Sequence, residues 1–366
     1  MAGNHYLITG ATGAIAQEIL PRLAVSDPDS EIVLLVRPKD GLDVSARLDA
    51  IHRHARTFHP GACLARVQAV QGDVTLPALG LSAADHGRLV RTTTHIVHCG
   101  ASIKLNLTAE CARAINVSGT ERMLALASAC ARLERYAHVS TAYVAGTREG
   151  AILEDELYLG QDFVNTYEAS KCEAESIVHA AARHLPITVF RPSIVAGSAL
   201  DGHISAFATI YEPIRAVAIG LVRALPGNGD VHLDLVSVDV VGEAIVRLLA
   251  HPGSAGRTYH VTAGAGNTIS ARELLARSIA LLGGPREPAL TFGAAPGDPL
   301  AARLAPFTAY LAHAKIFDDA HLREDLGSWA DRRPHPRDYL PRLLAYFAAA
   351  RNAAPASGEE RCATAA

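Results

Sequence analysis

The stretch His5-Tyr6-Leu7-Ile8-Thr9-Gly10-Ala11-Thr12-Gly13-Ala14-Ile15-Ala16 decides how the rest of the chain is read. It continues at helical spacing to about Leu23 and is followed by Glu31-Ile32-Val33-Leu34-Leu35-Val36-Arg37. An apolar run breaks into glycines, after which Ile15, Ile19, Leu20 and Leu23 recur on one helical face. The second apolar run lacks polar alternation, as expected of a parallel strand covered on both faces. Glycines at positions 10 and 13 let the backbone turn tightly and approach a ligand where a side chain would collide. A helix opening at Gly13 aims its free N–H groups and positive dipole end at an anion, so the unit reads as a dinucleotide diphosphate site.

The end of the second strand bears on which dinucleotide. A ribose with free 2′-hydroxyls calls for an acid there. The chain instead has Val36-Arg37-Pro38-Lys39, and Asp27, Asp29 and Glu31 all precede the strand. A guanidinium fork suits a 2′-phosphate, so NADPH is the expected cofactor and Arg37 its phosphate ligand.

At 366 residues the chain can bury a large core, and 49% hydrophobic with 19% charged residues is a globular composition. A net charge of −3 gives no reason to expect nucleic acid or an anionic membrane as partner. Six cysteines without CxxC spacing suggest reduced thiols, and with no leader peptide in view a cytoplasmic location is expected. The apolar region Ile204 to Leu225 contains Glu212, Pro213, Arg215 and Arg223; it is expected to be a helix beside a pocket and not a membrane span.

Further strands are expected at Arg66–Val74, ending in Gly72-Asp73, at His95–Ser102, at Tyr136–Val144 and at Ile187–Val195. Helices at about 40–60, 82–91, 109–133 and 167–184 separate them, so the fold expected is α/β, doubly wound, with a mainly parallel sheet. A carboxylate at Asp73 would lie on the ligand edge of such a sheet and accept from the adenine amino group. The histidines 52, 54 and 59 have no acidic or sulfur partner nearby in sequence, so a solvated helix face is expected and no metal is assigned. After Gly197 the alternation weakens. Residues 1–196 are expected to form the cofactor-binding domain and 197–350 mainly a smaller substrate lobe. Within 233–261, Leu233–Val236 and Thr258–Val261 are expected to return to the main sheet, and 351–366 to be a disordered tail.

Tyr167 and Lys171 stand four apart on one expected helix and share a face. A phenol is a poor acid or base at neutral pH, and a neighbouring ammonium is expected to bring its pKa down. The same ammonium can hold a ribose, and Thr141 at a strand end can hold a carbonyl oxygen as it becomes an alkoxide. The chain has four lysines, at 39, 104, 171 and 315, which makes this spacing informative.

Taken together, Thr9–Ala16, Gly72-Asp73-Val74, Asn116–Thr120, Val139-Ser140-Thr141 and Tyr167–Lys171 resemble the extended short-chain dehydrogenase/reductase superfamily. Leu35-Val36-Arg37, Leu79-Gly80-Leu81-Ser82, His98 before small residues and Phe190-Arg191-Pro192-Ser193-Ile194-Val195 resemble one branch more closely. That branch is the thioester reductase and fatty acyl-CoA reductase group, with the terminal reductase domains of carboxylic acid reductases and nonribosomal peptide synthetases. The resemblance implies a Rossmann-type domain and a Thr141, Tyr167, Lys171 triad. It implies NADPH contacts at Gly10, Thr12, Gly13, Ala14, Ile15, Arg37, Asp73, Val74, Ala101, Lys171 and Ser193. Ala14 and Ala16 depart from the bulky aromatic and the glycine that the branch usually carries. The reaction implied is reduction of an acyl thioester, on coenzyme A or a carrier protein, to an aldehyde; going on to an alcohol would need a second NADPH, and the resemblance leaves the two products open. Residues 200–232, with Phe207 and Tyr211, are candidates for the acyl pocket or for ordinary core. The same fold also serves ketone, alcohol and nucleotide-sugar substrates; Ala142 stands where a dehydratase would want an acid. A non-catalytic cofactor sensor would be expected to have lost the triad.

Overall fold

Nine elements alternate from the N-terminus: β1 (His5–Thr9), α1 (Ala14–Ser26), β2 (Glu31–Val36), α2 (Val44–Phe58), β3 (Val67–Gln71), α3 (Ala83–Thr92), β4 (His95–His98), α4 (Ala109–Ala129) and β5 (Arg135–Val139). The computed structural model describes residues 3–207, 210–264, 266–284, 290–293 and 304–353. Polar caps set the helix starts, as Asp43 accepts from the Ala46 N–H, Ser82 from Asp85 and Asn165 from Glu168. Then come β6 (Gly150–Ile152), α5 (Thr166–Ala181), β7 (Ile187–Pro192) and its continuation β8 (Ile194–Ala196). The later part of the chain contributes α6 (Tyr211–Ala218), β9 (Ala224–Leu225), β10 (His232–Leu233), β11 (Leu235–Ser237), α7 (Val238–Leu249), β12 (Thr258–Val261) and α8 (Ala271–Leu281).

Seven parallel strands form the main sheet, in the order β12-β7-β5-β4-β1-β2-β3. The chain runs outward from β1 to β3 and then restarts on the other side at β4. The C-terminal ends of β1 and β4 therefore open the crevice where ligands of such sheets bind. Alternation within each strand explains the apolar runs: Ile32, Leu34 and Val36 of β2 join one core with Ile19 and Val241, while Val33 and Leu35 join another with Met123. With helices on both faces, neither side of the sheet needs polar residues.

Of the 233–261 segment, Thr258–Val261 is the edge strand β12, and α7 packs against α1 in the first core. Leu235–Ser237, by contrast, pairs with β8 and not with the main sheet. Because β8 continues β7 after Ser193, the two-stranded piece is an offshoot at the sheet's ligand edge. The region 204–225 is not one helix. Its helix begins only at Tyr211 and stops before Gly220, which takes φ +74°, a left-handed conformation that ends helices. A third core is built from Tyr211, Ile214, Leu235, Leu274, Leu343 and Phe347, with Ala142, Tyr143 and Ile194 from the strand ends. The last helix, Pro336–Ala353, includes residues 351–353, the first three of the expected tail; the remainder of that tail lies outside the described residues.

Candidate active site

The loop after β1 is built for close approach. The Thr9 hydroxyl lies 2.7 Å from His98 Nδ1 and accepts from the Gly100 N–H at 3.0 Å, tying the ends of β1 and β4 together. Gly10 has φ +69°, and a Cβ there would stand 2.7 Å from the Cys99 carbonyl carbon and oxygen. Only glycine fits. The Gly13 N–H donates to the Gly10 carbonyl at 2.8 Å, and no side chain caps α1, whose first N–H groups face a cleft of about 530 Å³. A close backbone turn and an uncapped 13-residue helix fit a dinucleotide diphosphate.

At the cleft's far end stand Thr12, Arg37, Asp73 and Val74. Arg37 reaches Asp73 at 3.5 Å, a long contact, while Asp73 Oδ1 accepts from both the N–H and the hydroxyl of Thr75 at 2.8 Å. Burial pushes the Asp73 carboxyl up, but these Thr75 bonds and the guanidinium hold it below its usual value. Arg47, which sequence reasoning missed, donates to the Arg37 carbonyl at 2.6 Å and to the Thr12 hydroxyl at 3.2 Å. It lies in the first turns of α2 after the Asp43 cap, so its reach to the glycine loop shows only in the fold.

The cleft continues past Gly10, Gly13 and Ala101 into a second chamber of about 320 Å³, lined by Ala14, Ile15, Thr141, Tyr167, Lys171 and Ser193. The triad and cofactor-contact residues expected from the sequence thus lie on one continuous cleft, whereas Tyr211 and Phe207, the acyl-pocket candidates, pack in or against the third core. Thr141 sits where β5 ends, its hydroxyl accepting from the Tyr143 N–H at 3.2 Å. Tyr167, in the first turn of α5, has the Thr141 hydroxyl nearby to hold the phenol down, yet burial outweighs it and pushes the phenol up to about 12. The Lys171 ammonium donates to the Val139 carbonyl at 2.8 Å, and burial lowers it to about 8 against the opposing pull of Glu175. The expectation that Lys171 lowers the Tyr167 phenol therefore fails here. In this structure the ammonium is spent on a strand carbonyl, and desolvation dominates the phenol.

Behind Lys171 lies a buried polar network. Glu175 accepts from Arg191 Nε at 2.9 Å and Nη2 at 2.6 Å, and from the Ser140 hydroxyl. Asn116 accepts from the Ser102 N–H at 2.8 Å and donates to the Ser102 carbonyl and the Ser170 hydroxyl, clamping the β4 loop to α5. The Ser193 hydroxyl is committed to buried Asp234, which also accepts from the Ala263 N–H at 2.8 Å.

Tyr310 comes from the later part of the chain, lines the second chamber and stacks edge-on against Tyr143 at 4.7 Å between ring centres. Its hydroxyl accepts from Asn165 at 3.3 Å. Glu168, next to Tyr167, is buried and desolvation raises it to about 7. The histidines 52, 54 and 59 are half-buried and not on a solvated face, and His59 faces Glu18 and His203. No helix among the described residues is long and apolar enough to cross a membrane.

Sheet order, glycine loop and the Tyr167–Lys171 helix together define an extended short-chain dehydrogenase/reductase, an oxidoreductase architecture with a nicotinamide dinucleotide domain. A family of NAD-binding proteins described as "Male sterility protein" matches residues 8–245, and the chain belongs to it. Fatty acyl-CoA reductase wat of Drosophila melanogaster is 28% identical over 272 residues, 65% of this chain and 52% of that protein. The terminal R domain from the myxalamid PKS-NRPS biosynthetic pathway superposes with a TM-score of 0.79 at 27% identity, covering 96% of this chain and 92% of that one. UDP-glucuronic acid 4-epimerase from Bacillus cereus, solved with NAD, shares the fold at 16% identity and a TM-score of 0.69, over 96% of this chain and 99% of that one. The chain spans about half the length of the fatty acyl-CoA reductases it matches.

Proposed function

We propose that this chain reduces the carbonyl of an acyl thioester, carried on coenzyme A or on a carrier protein, using NADPH. The observation that carries the reading is the convergence of Thr141, Tyr167 and Lys171 on the chamber that continues the dinucleotide cleft. Family membership, with fatty acyl-CoA reductases among the relatives, favours a thioester over a sugar or simple ketone.

Gly10, Thr12, Gly13, Ala14 and Ile15 hold the diphosphate, Arg37 with Arg47 the 2′-phosphate, and Asp73 with Val74 the adenine. Ala101 and Ser193 flank the nicotinamide end. When bound, the reduced nicotinamide supplies the hydride. Thr141 and Tyr167 present hydroxyls to the carbonyl oxygen and stabilise the charge that develops there. Tyr167 is protonated at neutral pH, the state required of a proton donor, and passes its proton to that oxygen. Lys171, whose ammonium donates to the Val139 carbonyl, bonds the ribose. Protonation leaves a hemithioacetal, which loses thiol to give the aldehyde. The acyl group enters from the side of residues 197–350, past Ile204 and Tyr310.

The test is NADPH oxidation by the purified chain with a series of acyl-CoA thioesters, ketones and UDP-sugars, identifying products. Turnover confined to thioesters, with aldehyde or alcohol formed, supports the proposal. Turnover confined to ketones or UDP-sugars overturns it.

A further inference from the structure

Away from the cleft, three side chains remote in sequence converge. Glu18 lies in the second turn of α1, His59 caps the C-terminus of α2, and His203 belongs to the loop after β8. One ligating atom from each lies within 4.8 Å of the others. His203 Nε2 stands 2.8 Å from Glu18 Oε1, and His59 Nε2 stands 3.4 Å from the same oxygen. The second distance is long for a hydrogen bond. It matches the ~3.3 Å edge of a tetrahedron whose metal–ligand bonds are ~2.0–2.1 Å.

What surrounds the trio also has the form of a metal site. The other ring nitrogen of His203, Nδ1, is 2.7 Å from Asp201 Oδ1. A carboxylate on the far nitrogen fixes tautomer and ring orientation in metal-bound histidines. Phe58 stacks on the His203 ring at 4.0 Å and 13°, holding its plane. Glu18 and His203 are buried, Arg22 engages the other Glu18 oxygen, and His59, its side chain 18% exposed, leaves one side open to water. His54, 5.7 Å from His203 ring to ring, and Tyr346 complete the neighbourhood without adding a ligand.

We propose that Glu18, His59 and His203 bind one divalent cation of the zinc class, with Asp201 orienting His203 and water filling the fourth position. A set of two imidazoles and one carboxylate without thiolate suits zinc or cobalt over calcium or magnesium. The ion joins α1, which opens at the diphosphate loop, to the loop that carries Ile204 and Ala206 onto the second chamber. It is a tie between the two halves of the cleft and touches no reacting atom.

The full chain, stripped with a chelator, is titrated with Zn²⁺ by calorimetry and with Co²⁺ by visible absorption. The expected result is one ion per chain, a tetrahedral Co²⁺ spectrum and a Zn²⁺-dependent rise in melting temperature. His59→Gln and His203→Gln each weaken binding more than tenfold and abolish that rise; Asp201→Asn weakens binding roughly tenfold, as for other orienting partners. His232→Gln, an exposed residue outside the cluster, changes nothing. His59 is not fully buried, and its metal-free variant is checked to melt like the metal-free parent. Absence of 1:1 binding, or binding unaltered in both His59→Gln and His203→Gln, overturns the proposal and leaves the trio an ion-pair cluster.

Discussion

Removing the two arginines at the adenine end is the sharpest probe of cofactor choice, because the structure ranks them. The Arg37 side chain is 54% exposed and its one polar side-chain contact among the described residues, to Asp73, is 3.5 Å long. A guanidinium so placed interacts through water-like dielectric, and one contact with a phosphate is worth about 1 kcal/mol. Arg47 is already held by its bonds to the Arg37 carbonyl and the Thr12 hydroxyl, so less ordering entropy is lost when a phosphate arrives. Its contact should be worth about 1.5–2 kcal/mol, within the range for hydrogen bonds to charged groups. Arg37→Ala should therefore weaken NADPH about fivefold, Arg47→Ala about tenfold to thirtyfold, and the double variant about a hundredfold, at 1.4 kcal/mol per factor of ten. NADH affinity should stay within about twofold, since the 2′-phosphate alone is being read. Calorimetric titration of both cofactors at low and high salt is the assay, and the NADPH effect should shrink as salt screens an exposed site. Equal losses for NADPH and NADH would refute the reasoning.

Three further outcomes are expected. Gly10→Ala forces a Cβ to 2.7 Å from the Cys99 backbone in a left-handed conformation, which should cost about 2–5 kcal/mol in a melt and remove cofactor binding. Glu168 has a folded pKa raised to about 7 by burial, so its contribution is full below the unfolded value near 4.5 and is lost as pH rises through 7. Glu168→Gln should lack that loss, gaining on the parent by roughly 1–3 kcal/mol between pH 5 and 8; a pH-independent difference in chemical denaturation would contradict it. Asn116→Ala strands the Ser102 N–H and carbonyl and should cost about 1–3 kcal/mol by the same denaturation measurement.

The sheet was legible because covering both its faces writes strands as unbroken apolar runs, as in Ile32 to Val36, and because Gly10 has a steric reason to be glycine. That Tyr167 and Lys171 share one wall of the chamber was legible from spacing, since four positions on a helix put them on one face. The same spacing puts Glu175 next on that face, a signal that was available and not used. What could not be read was long-range. Arg47 meets Thr12 across 35 positions, Tyr310 meets Asn165 across 145, and His203 meets Glu18 across 185. Strands of two or three residues, such as β9 and β10, carry no period of their own, so the later part of the chain had no pattern to follow. Burial also reversed the direction of the Tyr167 shift, since helix spacing says nothing about where the Lys171 ammonium finds its hydrogen bond.

Tyr167→Phe keeps the ring and removes only the hydroxyl, so it isolates proton donation from packing. Thioester-dependent NADPH oxidation should fall by roughly 10²–10⁴-fold, the usual contribution of a positioned acid, while the dissociation constant for NADPH stays within about twofold of the parent. A variant that still turns over acyl thioester at near the parental rate would contradict the account.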